Sequence, residues 1–291
     1  MEPSAVRENG LVANFHRPST SGTRPGIIIL GGAGGGLNSP SAVGSLLAER
    51  GYAALALAYF GLEHLPDQLQ EIPLEYFKRA IEWMRAQPSV DSSNISLVGT
   101  SKGGEAALLV GATYAEIRAV VAYSPSHVVW QGIDERWSDA SASKSSWTLD
   151  GKPVPFVPFR IDDDFIERYG FYLGLYLGSL QDWPAVERAL IPVERINGPI
   201  LIVSGTDDAI WPSSTMCEHV VERLRKRQFV FPFHHFSYDG AGHLLAGPSR
   251  LAPARPIGAG DMAIGGTESA NAAARDDAWA KVCTFFGTYL K

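Results

Sequence analysis

The chain has 291 residues, of which 45% are apolar, with a formal net charge of −6 and two cysteines. This composition suits one large α/β domain with a sizeable core. The modest negative charge gives no indication of a nucleic-acid or membrane-surface partner. Cys217 and Cys283 imply no disulfide framework, and both lie in predicted helices, where they fit as small core residues.

The first ten residues, MEPSAVRENG, lack the charged start and apolar run of a signal peptide. No apolar run reaches the roughly 18 residues that a membrane span needs. We therefore expect a cytoplasmic protein without a membrane span.

Strand and helix patterns alternate along the chain. Short, continuous apolar runs predict buried strands, and amphipathic runs predict helices. Because the two alternate, we predict a mostly parallel central sheet with helices on both faces. In chain order the predicted elements are strand 26–30, helix 42–50, strand 52–60, helix PLEYFKRAIEWMRAQP, strand ISLVG, helix GGEAALLVGATYAEI, strands RAVVAYSP and PILIVSG, helix TMCEHVVERLRKR, strand HHFSYDG and helix DDAWAKVCTFFGTYL.

The alternation breaks between residues 126 and 193, which include the aromatic stretch FIERYGFYLGLYLGSL. We interpret this segment as a cap-like insertion over one edge of the sheet, within a single domain of residues 1–291. A core helix with surface loops is the alternative. A Pro/Gly-rich loop is expected over residues 247–260. Seven aromatic residues could line an apolar pocket under the cap or belong to the core: Trp130, Trp137, Trp147, Phe156, Phe171, Tyr172 and Tyr176.

One serine stands at the junction of a buried strand and a helix. Ser101 has Gly99 two residues before it and Gly103 two residues after it. Glycines at these positions allow a sharp, strained turn that raises the serine oxygen above the sheet edge. The pattern predicts the nucleophile elbow of an α/β-hydrolase fold, and a tight turn with an incidental serine is the alternative.

Two backbone N–H groups are expected to stabilise an oxyanion near this serine. The first N–H groups of a helix have no intrahelical acceptor, so the N–H of Lys102 is available. Its side chain fits better as a structural group, in an ion pair, than as a second base. The second donor should come from the glycine-rich loop 31–36, at Ala33 or, alternatively, Gly34.

The same loop could in principle hold a dinucleotide phosphate. It has no clean G-x-G-x-x-G pattern, and the second strand ends in AYFG without an acid for a ribose. No Gly-Lys-Ser/Thr follows, which also excludes a P-loop. We therefore favour an oxyanion loop over a nucleotide site.

A serine nucleophile needs a base, and the base needs an orienting acid. Of the seven histidines, His243 lies in a glycine-rich loop, YDGAGHLL, after the last predicted strand. The acid should follow a strand between the serine and the histidine, and PILIVSGTDDAIW offers Asp207 and Asp208. Spacing alone does not separate these two, whereas Asp239 fits better as a turn residue.

Taken together, these residues resemble the C-terminal catalytic domain of the acyl-CoA thioesterase and bile acid-CoA:amino acid N-acyltransferase family. The similarity starts at about residue 25 and rests on segments such as GTSKGGE, IPVER, GTDDAIWPS, GAGH and GGTESANAAARDDAW. Ser-Lys-Gly-Gly-Glu is far more specific than a bare Gly-x-Ser-x-Gly. The family pattern implies Ser101 as nucleophile, His243 as base and Asp208 as acid.

The resemblance implies hydrolysis of an acyl thioester, acyl-CoA to free acid and CoA, through an acyl-enzyme. Two-domain members carry a β-sandwich first, whereas about 25 residues precede the match here, enough for a strand or a hairpin. The amino-acid-conjugating transferases of the family carry cysteine at the nucleophile position, so Ser101 favours water as the acceptor. No metal or redox cofactor is implied, and the oligomeric state stays open.

Three other functions fit parts of the same pattern. A carboxylesterase or lactone hydrolase would use the same triad on a small metabolite. An acyltransferase would deliver the acyl group to an amine or alcohol. A catalytically silent binding protein is the third, since fold does not fix function. The presence of serine, acid, base and both oxyanion loops argues against it.

Overall fold

The computed structural model describes residues 2–18, 22–134, 143–251 and 263–290. Trp137 and most of the predicted Pro/Gly-rich loop lie outside these residues. The strands are β1 (Ser4–Val6), β2 (Val12–His16), β3 (Arg24–Leu30), β4 (Ala53–Ala58), β5 (Ile72–Pro73), β6 (Val90–Thr100), β7 (Ile117–Tyr123), β8 (Trp147–Leu149), β9 (Lys152–Pro153), β10 (Ile200–Gly205) and β11 (Phe233–Tyr238).

The helices are amphipathic or buried elements placed between these strands. In α2, for example, Pro73 precedes the first turn and the predicted face of Leu74, Phe77, Ile81 and Met84 is buried. The helices are α1 (Asn38–Glu49), α2 (Leu74–Arg85), α3 (Lys102–Thr113), α4 (Asp163–Tyr169), α5 (Phe171–Ser179), α6 (Trp183–Ala189), α7 (Ser213–Lys226) and α8 (Glu268–Tyr289).

Among the described residues, eight strands form the main sheet in the order β1-β2-β4-β3-β6-β7-β10-β11. The pairs from β4 to β11 are parallel, while β2 runs antiparallel to β4 and forms a hairpin with β1. The mostly parallel sheet is therefore confirmed. The hairpin extends this sheet, so the first residues belong to the same fold.

Both faces of the sheet are covered, because alternate strand residues point to opposite sides. Ile28 and Leu30 of β3 pack in one core cluster with α2, α3 and α7. Ile27 and Ile29 pack in a second cluster with α1 and α8. Parallel strands buried in this way bring their carboxyl ends to one edge, where the loops carry the candidate site.

The segment from 126 to 193 contributes short elements. Two of its strands, β8 and β9, join β5 in a small sheet, and α4 to α6 follow. A third core cluster contains Trp130 and Tyr176 of this segment together with Trp211 and Met216. Trp147 is also fully buried, whereas Phe171 is 44% exposed. Trp130, Trp147 and Tyr176 are thus core residues, and Phe156 and Tyr172 are half-buried.

The closing helix is longer than predicted. It begins at Glu268, because Thr267 caps it by accepting a hydrogen bond from the Ala270 N–H, and the alanine-rich stretch that follows favours helix. Over the described ranges, no helix is both long and apolar enough to cross a membrane.

Candidate active site

The turn between β6 and α3 has the strained geometry that the sequence predicts. Ser101 adopts φ 57° and ψ −122°, outside the regions that L-residues favour. A Cβ on Gly99 would lie 1.9 Å from the carbonyl oxygen of Gly103. A Cβ on Gly103 would lie 2.3 Å from the carbonyl oxygen of Gly31. Both positions therefore require glycine, and the turn presents the serine at the sheet edge.

Ser101, His243 and Asp208 form one chain of hydrogen bonds. The Oγ of Ser101 lies 2.8 Å from Nε2 of His243, and Nδ1 of that ring lies 2.8 Å from Oδ2 of Asp208. All three residues are buried. In the sequence, Ser101 lies 142 positions and Asp208 35 positions before His243. The fold therefore brings three distant residues together on one possible path for a proton.

The structure distinguishes the two neighbouring aspartates that spacing could not. Besides the imidazole, the buried Asp208 accepts hydrogen bonds at Oδ1 from the N–H groups of Ile210 and Trp211. Asp207 is exposed and accepts instead from the N–H of Gly266. Of these two aspartates, Asp208 contacts the histidine and Asp207 does not.

Contacts that the sequence did not reveal hold the histidine loop. Ser124 donates to the His243 carbonyl at 2.7 Å, and Asn271 of α8 accepts from the N–H of Gly242 at 2.7 Å. The ring of Trp211 meets the imidazole edge to face, with centroids 5.6 Å apart. The sequence did contain one signal for Asn271. The segment GGTESAN is among those that resemble the family, although it holds none of the predicted catalytic residues.

The glycine-rich loop lies against the serine. A Cβ on Gly32 would lie 3.2 Å from the Cβ of Ser101, and the Gly32 carbonyl accepts from the N–H of Gly35. The peptide that joins Gly32 to Ala33 is therefore beside Ser101. Lys102 is the first residue of α3, directly after Ser101, so its N–H has no intrahelical acceptor.

The Lys102 side chain makes the predicted ion pair. Its Nζ lies 2.7 Å from Oε1 of Glu105, and both side chains are at most 1% exposed. Burial lowers the pKa of Lys102 and raises the pKa of Glu105, and their mutual contact opposes both shifts. This pair lies directly beneath the serine turn.

Another histidine, His127, is buried outside the serine–histidine–aspartate chain, and its burial lowers the pKa of its ring. Its ring packs against His219 with centroids 4.8 Å apart, and its Nδ1 has no hydrogen-bond partner among the described residues. Burial, followed by the neighbouring histidine, lowers the pKa of His127 to about 3. The folded protein therefore keeps this ring neutral at physiological pH.

We expect His127 to make folding stability depend on pH. An unfolded histidine, with a pKa of about 6.5, binds a proton between pH 6.5 and pH 3 that the folded one does not. Stability should then fall with decreasing pH, by up to about 1.4 kcal/mol per pH unit from this residue. Urea unfolding of His127→Gln between pH 6 and 4 should give a correspondingly shallower decline.

The control for this measurement is His64→Gln, since the His64 side chain is 76% exposed. Its stability curve should run parallel to that of the unmodified protein. Parallel curves for the His127 and His64 variants would contradict the assignment.

The mostly parallel sheet with helices on both faces is the α/β-hydrolase fold. A solved dienelactone hydrolase-like promiscuous phosphotriesterase from metagenomic libraries superimposes with a TM-score of 0.62 at 17% identity, covering 100% of this chain and 98% of its own. The family model described as BAAT / Acyl-CoA thioester hydrolase C terminal matches residues 72–291. The chain belongs to this family.

Curated relatives agree with this membership. Acyl-coenzyme A amino acid N-acyltransferase 1 of Mus musculus is 30% identical over 98% of this chain and 64% of its own length. Acyl-coenzyme A thioesterase 2, mitochondrial, of Mus musculus is 31% identical over 98% of this chain and 60% of its own length. The chain thus spans less than two thirds of the length of these relatives.

Proposed function

We propose that this chain is a serine hydrolase that cleaves acyl thioesters, with acyl-CoA as the substrate class. The observation that carries the proposal is the 2.8 Å contact from the strained Ser101 Oγ to His243 Nε2, in a chain of this family. A serine hydroxyl is a weak nucleophile until an adjacent base takes its proton. The family relationship points to an acyl thioester as the electrophile.

In the proposed reaction, Ser101 Oγ attacks the acyl carbonyl carbon and His243 takes the hydroxyl proton. Asp208 holds the imidazole in the required tautomer and stabilises the imidazolium. The N–H groups of Lys102 and Ala33 donate to the oxyanion. The tetrahedral adduct collapses, the C–S bond breaks, and the sulfur takes the proton from the His243 imidazolium and leaves as the thiol. Neutral His243 then deprotonates a water molecule that attacks the acyl-enzyme. The bond from the acyl carbon to Ser101 Oγ breaks, His243 returns the proton to this oxygen, and the acid is released.

The leaving group suits this site. A simple thiol has a pKa of about 8.5, so it departs with little help from a general acid. The demand on the histidine is therefore greatest in the two attack steps, where it acts as a base. No step of this reaction requires a redox centre.

The segment from 126 to 193 is part of the same proposal, as a cap within one domain. It begins shortly after β7 and Ser124, and its buried side chains pack in one cluster with Trp211, which contacts both Asp208 and His243. A cytoplasmic location also stays a prediction, because the thioesterase 2 relative is described as mitochondrial.

The proposal is tested by thiol release from a panel of acyl-CoAs of increasing chain length. We expect release that depends on Ser101 and varies with chain length, as an apolar acyl site requires. If no acyl-CoA releases thiol while the protein still hydrolyses p-nitrophenyl esters, the thioester assignment is contradicted. The chain would then be an esterase or lactone hydrolase with the same triad.

Acyl transfer is the second candidate, because the N-acyltransferase relative is as similar to this chain as the thioesterase is. The same assay with glycine and other amino acids separates the two. Free acid as the sole acyl product supports hydrolysis. An N-acyl amino acid formed at the expense of free acid would favour the transferase.

A further inference from the structure

A buried carboxylate lies at the centre of a hydrogen-bond network under the serine turn. Glu105 is four residues after Ser101 and fully buried. Its Oε1 accepts from Nζ of Lys102 at 2.7 Å, from Nε1 of Trp147 at 2.7 Å and from the N–H of Trp130 at 3.3 Å. Its Oε2 accepts from the same Nζ at 2.8 Å. Without such partners a buried carboxylate is strongly unfavourable.

One branch of this network leads to the first oxyanion donor. Nζ of Lys102 binds both oxygens of Glu105 and donates to Oγ of Ser146 at 2.7 Å. Ser146 in turn donates to the carbonyl of Trp130 at 2.9 Å. The Lys102 side chain is therefore fixed at its far end, and this restrains the peptide N–H that follows Ser101.

A second branch leads to the other donor. The indole of Trp147, which donates to Glu105, packs against the ring of Tyr59 with centroids 5.7 Å apart. The Tyr59 hydroxyl donates to the carbonyl of Gly31 at 2.5 Å. Gly31 opens the loop that carries Ala33, so this contact restrains the loop from below.

We propose that Glu105 is a positioning residue that sets the relative placement of the two oxyanion donors. The inference rests on the proposed function, since it takes the Lys102 and Ala33 N–H groups as the donors. Donors act only when they are held at hydrogen-bond distance from the developing oxyanion, and a shift of about 1 Å can lower a rate about 10²-fold. Well-packed apolar residues can replace a buried ion pair in a protein that still folds, so the effect on donor placement can be measured in a folded variant.

The experiment compares the double variant Lys102→Met/Glu105→Leu with the single variant Tyr59→Phe. The first removes both buried charges, and the second removes only the hydroxyl that contacts Gly31. Measurements are kcat and KM on a p-nitrophenyl ester, affinity for an alkylboronic acid that mimics the tetrahedral adduct, and the urea midpoint. Glu194→Gln is the control. Both carboxylate oxygens of Glu194 accept from the guanidinium of Arg223 in α7, so this variant weakens an ion pair that is not part of the Glu105 network.

We expect the double variant to fold but to unfold at a lower urea concentration, because the Trp147 indole N–H and the Trp130 N–H lose their acceptor, and to lose about 10²-fold in kcat. KM should stay within about threefold, while boronate affinity falls in parallel with kcat. Tyr59→Phe should change the same quantities in the same direction by roughly tenfold. The Glu194→Gln control should leave all three kinetic quantities unaltered.

A folded double variant with normal kcat and boronate affinity would overturn the inference. If the double variant does not fold, normal boronate affinity in Tyr59→Phe would overturn it instead. These outcomes differ from failure of the proposed function, in which the unmodified protein hydrolyses neither esters nor thioesters. Because the readouts use an ester and a boronate, they are independent of whether acyl-CoA is the substrate.

Discussion

Replacing Ser101 by alanine is expected to lower kcat for ester and thioester hydrolysis by roughly 10⁴- to 10⁶-fold. The substitution removes the only atom within hydrogen-bond distance of His243 Nε2 in the described part of the chain, at 2.8 Å. Without the Oγ no acyl-enzyme forms, and residual catalysis would come from substrate binding and the oxyanion donors. Steady-state kinetics and labelling with a fluorophosphonate probe both measure the loss.

Ser96→Ala is the matched control for this experiment. Ser96 lies in β6, the strand that precedes Ser101, is fully buried, and its Oγ has no hydrogen-bond partner among the described residues. Its removal should leave activity and probe labelling unchanged. A Ser101→Ala protein that retains more than about 1% of activity would sink the nucleophile assignment, since a triad loss is orders of magnitude larger.

Asp208→Asn is expected to lower kcat by about 10⁴-fold. An asparagine fills the same space, but it cannot stabilise the imidazolium and it favours the wrong imidazole tautomer. The neighbouring variant Asp207→Asn should stay within about threefold of the unmodified enzyme, because its carboxylate contacts the Gly266 N–H and not the histidine.

These two variants make the same substitution at adjacent positions, so they test which aspartate orients His243. Both proteins should fold, because asparagine fills the same space as aspartate. A larger loss in Asp207→Asn than in Asp208→Asn would reverse the assignment. Equal and small losses would mean that no carboxylate orients His243 during the reaction.

The sequence predicted most of the sheet because its signals are local. Continuous apolar runs such as 26–30 and 200–205 can be recognised without knowledge of their neighbours. The short strands β5, β8 and β9 were not predicted, since two or three residues carry no periodicity. The start of α8 was placed too late, although Thr267 and the alanines after it were readable signals.

The candidate site shows the same division. Gly99 and Gly103 around Ser101 required one backbone geometry, so the elbow followed from three residues. The glycine-rich loop around His243 singled out this histidine. Local spacing could not choose between Asp207 and Asp208, because the choice depends on which side chain points toward a loop 35 residues away.

By itself, the sequence determined the order of the parallel strands of the main sheet and of the helices between them, the serine turn and the set of residues able to form a triad. Only the tertiary structure decided which of them meet, and it added groups with no local pattern, such as Asn271 at the histidine loop and Glu105 beneath the serine. The physical reason is that propensity and periodicity act between neighbours in the chain. A hydrogen-bond network depends on distances between residues that only the folded sheet brings together.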